Sequence, residues 1–547
     1  MCQHKKIVFV IVNLLLSLIM RNLHLPSRSP AYGKKAMVAT SHPEASRVAL
    51  NFMEKGANAF DAAVSAAAIL NVVEPHSTGI GGDCFCLFYS SKENKIMTLN
   101  GSGPSPKNIN FNNVELDNYK NIKDDTPYSI TIPGAVAAWD TILKDYGTLT
   151  FKEVLAPAIT LAEKGYVVAD VIADVWNREK DKLTKDSDCS KLFLKNGAPY
   201  KKGELHRQVN LAKTLDLISS YGKEGFYSGE VANDILGKIN SIGGTHTRED
   251  FENISINYEE PIHSSYKEFK VLECPPNGQG IVALIMLNIL SNFNLSDFAP
   301  NDYMRIHLEA EASKIGFLHR NKYLGDPKFS DIPLEKILSE EYAKSLSKKI
   351  SKDKVIKDLK IEDLGNHKDT VYISVVDQFG NYVSFINSIF QPFGSGIVTP
   401  KTGVLLHNRG ASFNLIKGHP NCLEPCKRPM HTIIPAMLAK DNIPKMVFGV
   451  MGAHYQPVGQ VHFLTNVLDF EMDVQLALDS PRTFYYDNSL SVETTIDSKT
   501  IKKLEELGHN VNYCDLPHGG GQAIMRLNNN NLIGGSDPRK DGIALGF

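Results

Sequence analysis

Neither sign of charge dominates this 547-residue chain. Its 59 lysines and arginines against 61 aspartates and glutamates leave a formal charge of −2, so nothing in the balance calls for nucleic acid or an acidic membrane as partner. Cysteine is sparse, with eight in the whole sequence, which argues against a disulfide-dense secreted scaffold. Cys84 and Cys86 stand two apart in the apolar run DCFCLF, where a strand puts both on one face. Cys422 and Cys426 form a CxxxC, but no second Cys or His pair at zinc spacing accompanies them, so free or buried thiols are expected. A phosphate loop, a full dinucleotide fingerprint and a repeat of about 20 to 50 residues are also missing. GIGGD at 79–83 is glycine-rich without the Lys and Ser/Thr of a phosphate loop, and reads as a tight backbone turn in the core. His307 and Glu311 lie one helical turn apart, which suits a metal, yet no third ligand is evident and a solvated helix face is the expectation. No metal or organic cofactor is therefore expected.

The N-terminus carries two readings. Lys5 and Lys6 precede IVFVIVNLLLSLIM, which has the length of a signal h-region and is too short for a comfortable membrane span. No small-x-small cleavage site follows it, and Met20 offers another start. Export follows if residues 1–20 are a signal, a cytoplasmic place if Met20 is the start. Residues 1–35 are taken as an N-terminal extension.

Length alone suggests about three domains, although one large α/β domain is also compatible with it. Ser41 and Glu44 have capping-box spacing with Pro43 in the first turn, and Val48, Ala49, Phe52 and Met53 make a helical stripe that Gly56 can end. Asn58 can cap a second helix, whose small-residue run AAVSAAAIL suits burial. The texture changes at Thr370. The Lys-rich run SKKISKDKVIKDLKIEDLGNHKD gives way to TVYISVVD, a QFGN turn and YVSFINSIF, an alternating pattern of strands, with helices expected again around Val474 to Ala477 and Ser498 to Leu507.

A Thr that opens a strand behind a flexible charged segment is what an N-terminal-nucleophile hydrolase needs. Such an enzyme cuts its own chain before a Ser, Thr or Cys, and the freed α-amine then serves as base for the adjacent hydroxyl. Thr is also a common strand residue, so position alone does not decide. The surrounding words do. TVYISVVDQFGNYVSFINSIFQPFGSGIV resembles the start of the small subunit of the γ-glutamyltransferase (glutathione hydrolase) family, and NRGASF, KRPMHTIIPAM, GVMGAHYQP and GGSDPRKDGIALGF continue the likeness. Upstream, MVATSHPEAS, GANAFDAAVSAAAILNVVEP, GIGGD, LAPAITLAEKGY and YLGDP match further landmarks, so the resemblance covers the chain from about residue 36 onward.

The resemblance implies a four-layer αββα sandwich of the α/β (α+β) class, built from a large subunit, 36–369, and a small one, 370–547, held together as a heterodimer after cleavage between Asp369 and Thr370. It implies Thr370 as nucleophile and Ser388, in the place of a family Thr, as a hydroxyl bonding the nucleophile's amine. Without the resemblance, Ser388 reads as a polar residue on a solvent-facing strand side. Gly452 and Ala453 fall where the family has paired oxyanion-hole glycines, although loop glycines often serve turns alone. The substrate-binding positions depart from the pattern. Ser102 stands where an Arg holds the glutamyl carboxylate, Ser412 where an acid holds the α-amine, His431 and Thr432 where paired serines stand, and Phe390 where an Asn does. Arg409 is an added cation, suited either to a substrate carboxylate or to a structural ion pair with a neighbouring acid.

These replacements make the sequence similar to the branch that includes oxamate amidohydrolase. Two substrates are therefore in view, a γ-glutamyl compound hydrolysed or transferred and a small anionic amide, with an inactive binding or scaffold relative as a third possibility. Because no ligand set was found, dialysis of the purified protein against a chelator is expected to leave its amide-cleaving rate unchanged; loss of rate restored by a divalent ion would contradict this reading.

Overall fold

The QFGN turn sets the centre of the architecture. It joins Val371–Val376 to Tyr382–Ser388 as an antiparallel pair, with Val376 opposite Tyr382 and Val371 opposite Asn387. The computed structural model describes residues 27–116, 121–357 and 370–547. Residues 1–26, which carry the signal and alternative-start readings, and Asp369 lie outside the described residues. Asp377 fixes the turn: Oδ1 accepts from the Phe379 and Asn381 backbone N–H groups, each at 2.9 Å, and Oδ2 accepts from Asn381 Nδ2 at 2.8 Å. Oδ2 also accepts from Ala59 N at 2.8 Å, tying the hairpin to the start of helix Ala59–Val73.

Two seven-stranded antiparallel sheets stack face to face. The first runs in the order Ile543–Gly546, Met37–Thr40, Val371–Val376, Tyr382–Ser388, Asp83–Ser90, Lys95–Gly101, Asn257–Glu259. The second runs Ala31–Gly33, Leu532–Ser536, Gly520–Arg526, Ile443–Met451, Ala436–Lys440, Phe269–Glu273, Ile262–Tyr266. Period-two alternation divides each central strand between two cores. Phe85, Leu87, Tyr372 and Ile386 face Met437, Val447 and Ile524 between the sheets. Cys84, Cys86, Val371, Ile373, Val375 and Phe385 face outward, where helices Ala59–Val73 and Ala135–Tyr146 cover them. Leu438, Phe448 and Val450 of the second sheet are covered by helices Gly280–Leu290, Tyr303–Tyr323 and Gln456–Leu468. The layers are thus helix, sheet, sheet, helix, the αββα sandwich. Each large apolar side chain so buried contributes about 1.5–3 kcal/mol. No helix among the described residues is long and apolar enough to cross a membrane.

Several local expectations are met and others corrected. Asn58 caps Ala59–Val73 in a capping box with Asp61, and every residue of that helix is buried. The later helices span Val474–Asp479 and Ser498–Glu506. The helix Pro43–Glu54 is capped by His42, whose Nδ1 accepts from Glu44 N at 3.2 Å, and not by Ser41. Of the stretch 1–35 read as an extension, Ala31–Gly33 forms an edge strand paired with Leu532–Gly534. His307 and Glu311 are fully buried rather than on a solvated face, because their helix packs against both Gly280–Leu290 and Ser498–Glu506. His509 joins them to form a cluster of three ligand-type side chains, in which His307 Nδ1 and His509 Nε2 share a hydrogen bond of 2.8 Å. Both Glu311 oxygens are occupied, by Lys314 Nζ at 2.6 Å and Ile356 N at 2.7 Å.

Since Asp377 holds both the hairpin register and a helix N-terminus, Asp377→Ala is expected to cost about 1.5–3 kcal/mol, read as a lowered urea midpoint; an unshifted midpoint would contradict this role.

Candidate active site

Hairpin register puts three chemistry-bearing residues side by side at the strand ends. Val371 pairs with Asn387, so Thr370 lies beside Ser388, and Ser388 in turn pairs with Asp83 on the next strand. Thr370 Oγ1 is 3.1 Å from Ser388 Oγ, and both residues are buried, so Ser388 is not on a solvent-facing side. Ser388 Oγ also accepts from Phe390 N at 2.9 Å and from Arg409 Nη2 at 3.3 Å. Those two donors use both lone pairs of the hydroxyl, so its own hydrogen is directed at Thr370 Oγ1.

Beneath this pair lies a buried ionic cluster that sequence reasoning did not assign. Asp83 Oδ2 accepts from Arg409 Nε at 2.9 Å and from His431 Nε2 at 2.9 Å, with His407 Nδ1 at 3.2 Å. The GIGGD turn makes this possible, since a Cβ on Gly82 would stand 2.3 Å from the Ser388 carbonyl oxygen. Burial pushes the Asp83 carboxyl up, but the adjacent His407 and His431 outweigh it and hold the group well below the usual carboxylate range. Burial, joined by the Arg409 charge, pushes His431 down to about 3 against the pull of Asp83. His431 is therefore neutral, donating through Nε2 and accepting at Nδ1 from Ile433 N at 3.3 Å.

Arg409 pairs with a neighbouring acid, Asp83. Its guanidinium is fully buried, bonded to Asp83, Ser388 and Thr432 Oγ1 (2.9 Å), and covered by the Phe390 ring at 4.3 Å. Phe390 holds φ at 77°, uncommon for a bulky side chain, and separates Arg409 from the adjoining cleft. That cleft, of about 710 Å³, is lined by Phe390, Ser412, Arg320 and His454 among others; Arg409, His431 and Thr432 are behind its wall. Ser412 Oγ lies 2.8 Å from both the Arg409 and the Met430 carbonyl oxygens, which share its one hydrogen. Ser102 is buried away from the cleft, donating to Asn100 Oδ1 at 2.7 Å.

Gly452 and Ala453 form the turn between strand Ile443–Met451 and helix Gln456–Leu468. Gly452 has φ 126° and Ala453 φ 48°, so Ala453 holds a left-handed conformation at a Cβ cost of about 1–2 kcal/mol. Gln279 Nε2 fixes the turn by donating to the carbonyls of Ala453 and Thr432, each at 2.9 Å. A turn of this kind at a helix N-terminus suits developing negative charge. Asp83, His407 and Arg320 were missed as site residues. Asp83 had a signal in the sequence, a carboxylate directly before an apolar strand; the other two had none.

Comparison with known proteins fits this geometry. A family model described as gamma-glutamyltranspeptidase matches residues 45–547. The glutathione hydrolase-like YwrD proenzyme of Bacillus subtilis is 37% identical over 94% of this chain and 99% of its own length. The oxamate amidohydrolase proenzyme of Klebsiella pneumoniae is 31% identical over 93% of this chain and 98% of its own. The crystal structure of cephalosporin acylase from Bacillus halodurans has a TM-score of 0.89 at 36% identity, covering 96% of this chain and 98% of that one.

The neutral imidazole of His431 sets a pH dependence. Its folded pKa of about 3 lies below the ordinary 6.5, so its contribution is fully present above pH 6.5 and is lost as pH falls toward 3. His246, held at about 4 by burial, acts in the same direction. Stability is expected to fall on acidification through this window, and His431→Asn to lessen the slope by about 1.4 kcal/mol per pH unit between pH 4 and 6. Urea midpoints at each pH measure it; an unaltered slope would count against a neutral His431.

Proposed function

The chain belongs to the gamma-glutamyltranspeptidase family, and we propose that it is an autoprocessing amidase that hydrolyses or transfers γ-glutamyl groups through an acyl-enzyme on Thr370. The observation that carries the reading is the 3.1 Å contact between Thr370 Oγ1 and a Ser388 hydroxyl oriented by Arg409 and Phe390 N. In the precursor, Thr370 Oγ1 attacks the Asp369 carbonyl carbon and the C–N bond breaks as the nitrogen takes the hydroxyl proton, which frees the Thr370 α-amine and leaves an ester on Oγ1; water then hydrolyses that ester, releasing the Asp369 carboxylate and the Thr370 hydroxyl. The amine then takes the hydroxyl proton as Oγ1 attacks the substrate amide carbon. Negative charge on the carbonyl oxygen collects at the turn formed by Gly452 and Ala453, and the departing amine leaves with the proton. Water, or an acceptor amine, then attacks the ester and releases Thr370. After the cut, 36–369 and 370–547 stay together because each supplies strands to both sheets.

A second reading, cleavage of a small anionic amide, is favoured by the walls of the cleft. Lys123, Lys182, Lys185 and Arg320 outnumber Asp124 and Asp125 there, and Ser412 offers a hydroxyl where an α-amine needs an acid. Assay of the purified protein on a γ-glutamyl anilide and on oxamate side by side decides between the two substrates.

On a denaturing gel the wild type is expected to give two bands, with the smaller beginning at Thr370 by Edman or mass analysis. Thr370→Ala should remain one band and lose at least about a thousandfold in turnover. A different N-terminus, or an active Thr370→Ala, would refute the assignment.

A further inference from the structure

The cleft walled by Phe390, whose backbone N–H donates to Ser388 Oγ, contains a cation that no carboxylate among the described residues neutralises. Arg320 stands in the last turn of helix Tyr303–Tyr323, is 4% exposed, and lines the same cleft as Phe390 and Ser412. Its Nη1 donates to Gln279 Oε1 at 3.0 Å and to His454 Nδ1 at 2.9 Å, while Nε and Nη2 share Asn321 Oδ1 at 3.0 and 2.8 Å. Every one of these acceptors is uncharged. Burial alone lowers the guanidinium to about 9, so it keeps its proton at neutral pH.

The nearby acids are engaged elsewhere. Asp124 Oδ1 accepts from Gln391 Nε2 at 2.7 Å, and Asp125 pairs with Lys185 at 2.7 Å. Arg409 is the contrasting case, equally buried but matched by Asp83 at 2.9 Å. A buried guanidinium without a counter-ion is costly, and the C-terminus of its own helix offers only partial negative charge. An anion entering the cleft supplies what the protein leaves out, and Arg320 offers it the guanidinium charge and the one Nη2 hydrogen not used by the bonds above.

Arg320 is also close to the chemistry. Gln279 accepts from Arg320 and donates to the carbonyls of Ala453 and Thr432, and Thr432 in turn accepts from Arg409. One side chain therefore separates Arg320 from the turn assigned to the oxyanion.

We propose that Arg320 is the carboxylate-recognising residue of the cleft, and that the acyl group it selects is short and carries a carboxylate. This rests on the amidase reading and names a substrate class for it.

The test uses processed wild type, Arg320→Gln and Arg320→Lys, with self-cleavage checked on a gel. Oxalate binding is measured by calorimetry, and kcat/KM is measured on oxamate and on its neutral counterpart oxamide. The expected result is an oxalate Kd raised about tenfold to a hundredfold in Arg320→Gln, a smaller rise in Arg320→Lys, and an oxamate-to-oxamide ratio lowered by a similar factor. If Arg320→Gln does not fold, Arg320→Lys carries the comparison, with about a threefold to tenfold loss expected. No oxalate binding by the wild type, an equal Kd in all three proteins, or equal losses on both amides would overturn the proposal, the last by reducing Arg320 to support of the turn. Oxalate binding that depends on Arg320 in a processed wild type that cleaves no amide would sustain the anion site and overturn the amidase reading instead.

Discussion

The buried pair of Asp83 and Arg409 is the interaction on which the site depends. Neither group is exposed, and each would be costly without the other. Their hydrogen bonds draw together four stretches far apart in sequence, namely the GIGGD turn, the end of Tyr382–Ser388, the segment from His407 to Arg409, and the pair His431 and Thr432. Removing one partner of such a pair typically costs about 3–5 kcal/mol, because the other charge is left buried alone. The same pairing directs Arg409 onto the Ser388 hydroxyl, and through it onto Thr370. Charge matching thus reaches the Thr370 hydroxyl in two hydrogen bonds.

That commitment also decides what recognises a substrate. An arginine already neutralised by a carboxylate and roofed by Phe390 has little left to offer an incoming anion. Arg320, surrounded by neutral acceptors on the cleft wall, has its charge unmatched among the described residues. Two buried arginines within one network of hydrogen bonds therefore differ in charge balance, because among the described residues only one has an acid beside it. The sheets contribute the rigidity this division needs. Both sheets contain strands from before and after Thr370, so a cut at that point leaves the central pairing in place.

Much of the frame was legible in the sequence. The change from a lysine-rich run to period-two alternation marked the strand that begins after Thr370, the Asn58 cap and alanine-rich run marked a buried helix, and the spacing of Cys84 and Cys86 marked one strand face. What escaped were features that only packing creates. Nothing local tells that Arg409 meets Asp83, or that Arg320 meets no acid among the described residues, since each is a single basic residue in a mixed segment. His307 and Glu311 looked like a solvated face because periodicity records one helix and not the two that cover it, and His509 comes from a distant part of the chain. His42 displaced Ser41 as a helix cap because an imidazole nitrogen can accept from the backbone as a hydroxyl does.

The central claim is that Thr370 carries the acyl group. Acid quenching of the processed protein during turnover of a γ-glutamyl anilide or oxamate, followed by mass mapping of the small fragment, measures it directly. The account predicts an added acyl mass on the peptide whose first residue is Thr370. An acyl group on any other residue, with Thr370 unmodified, would contradict it.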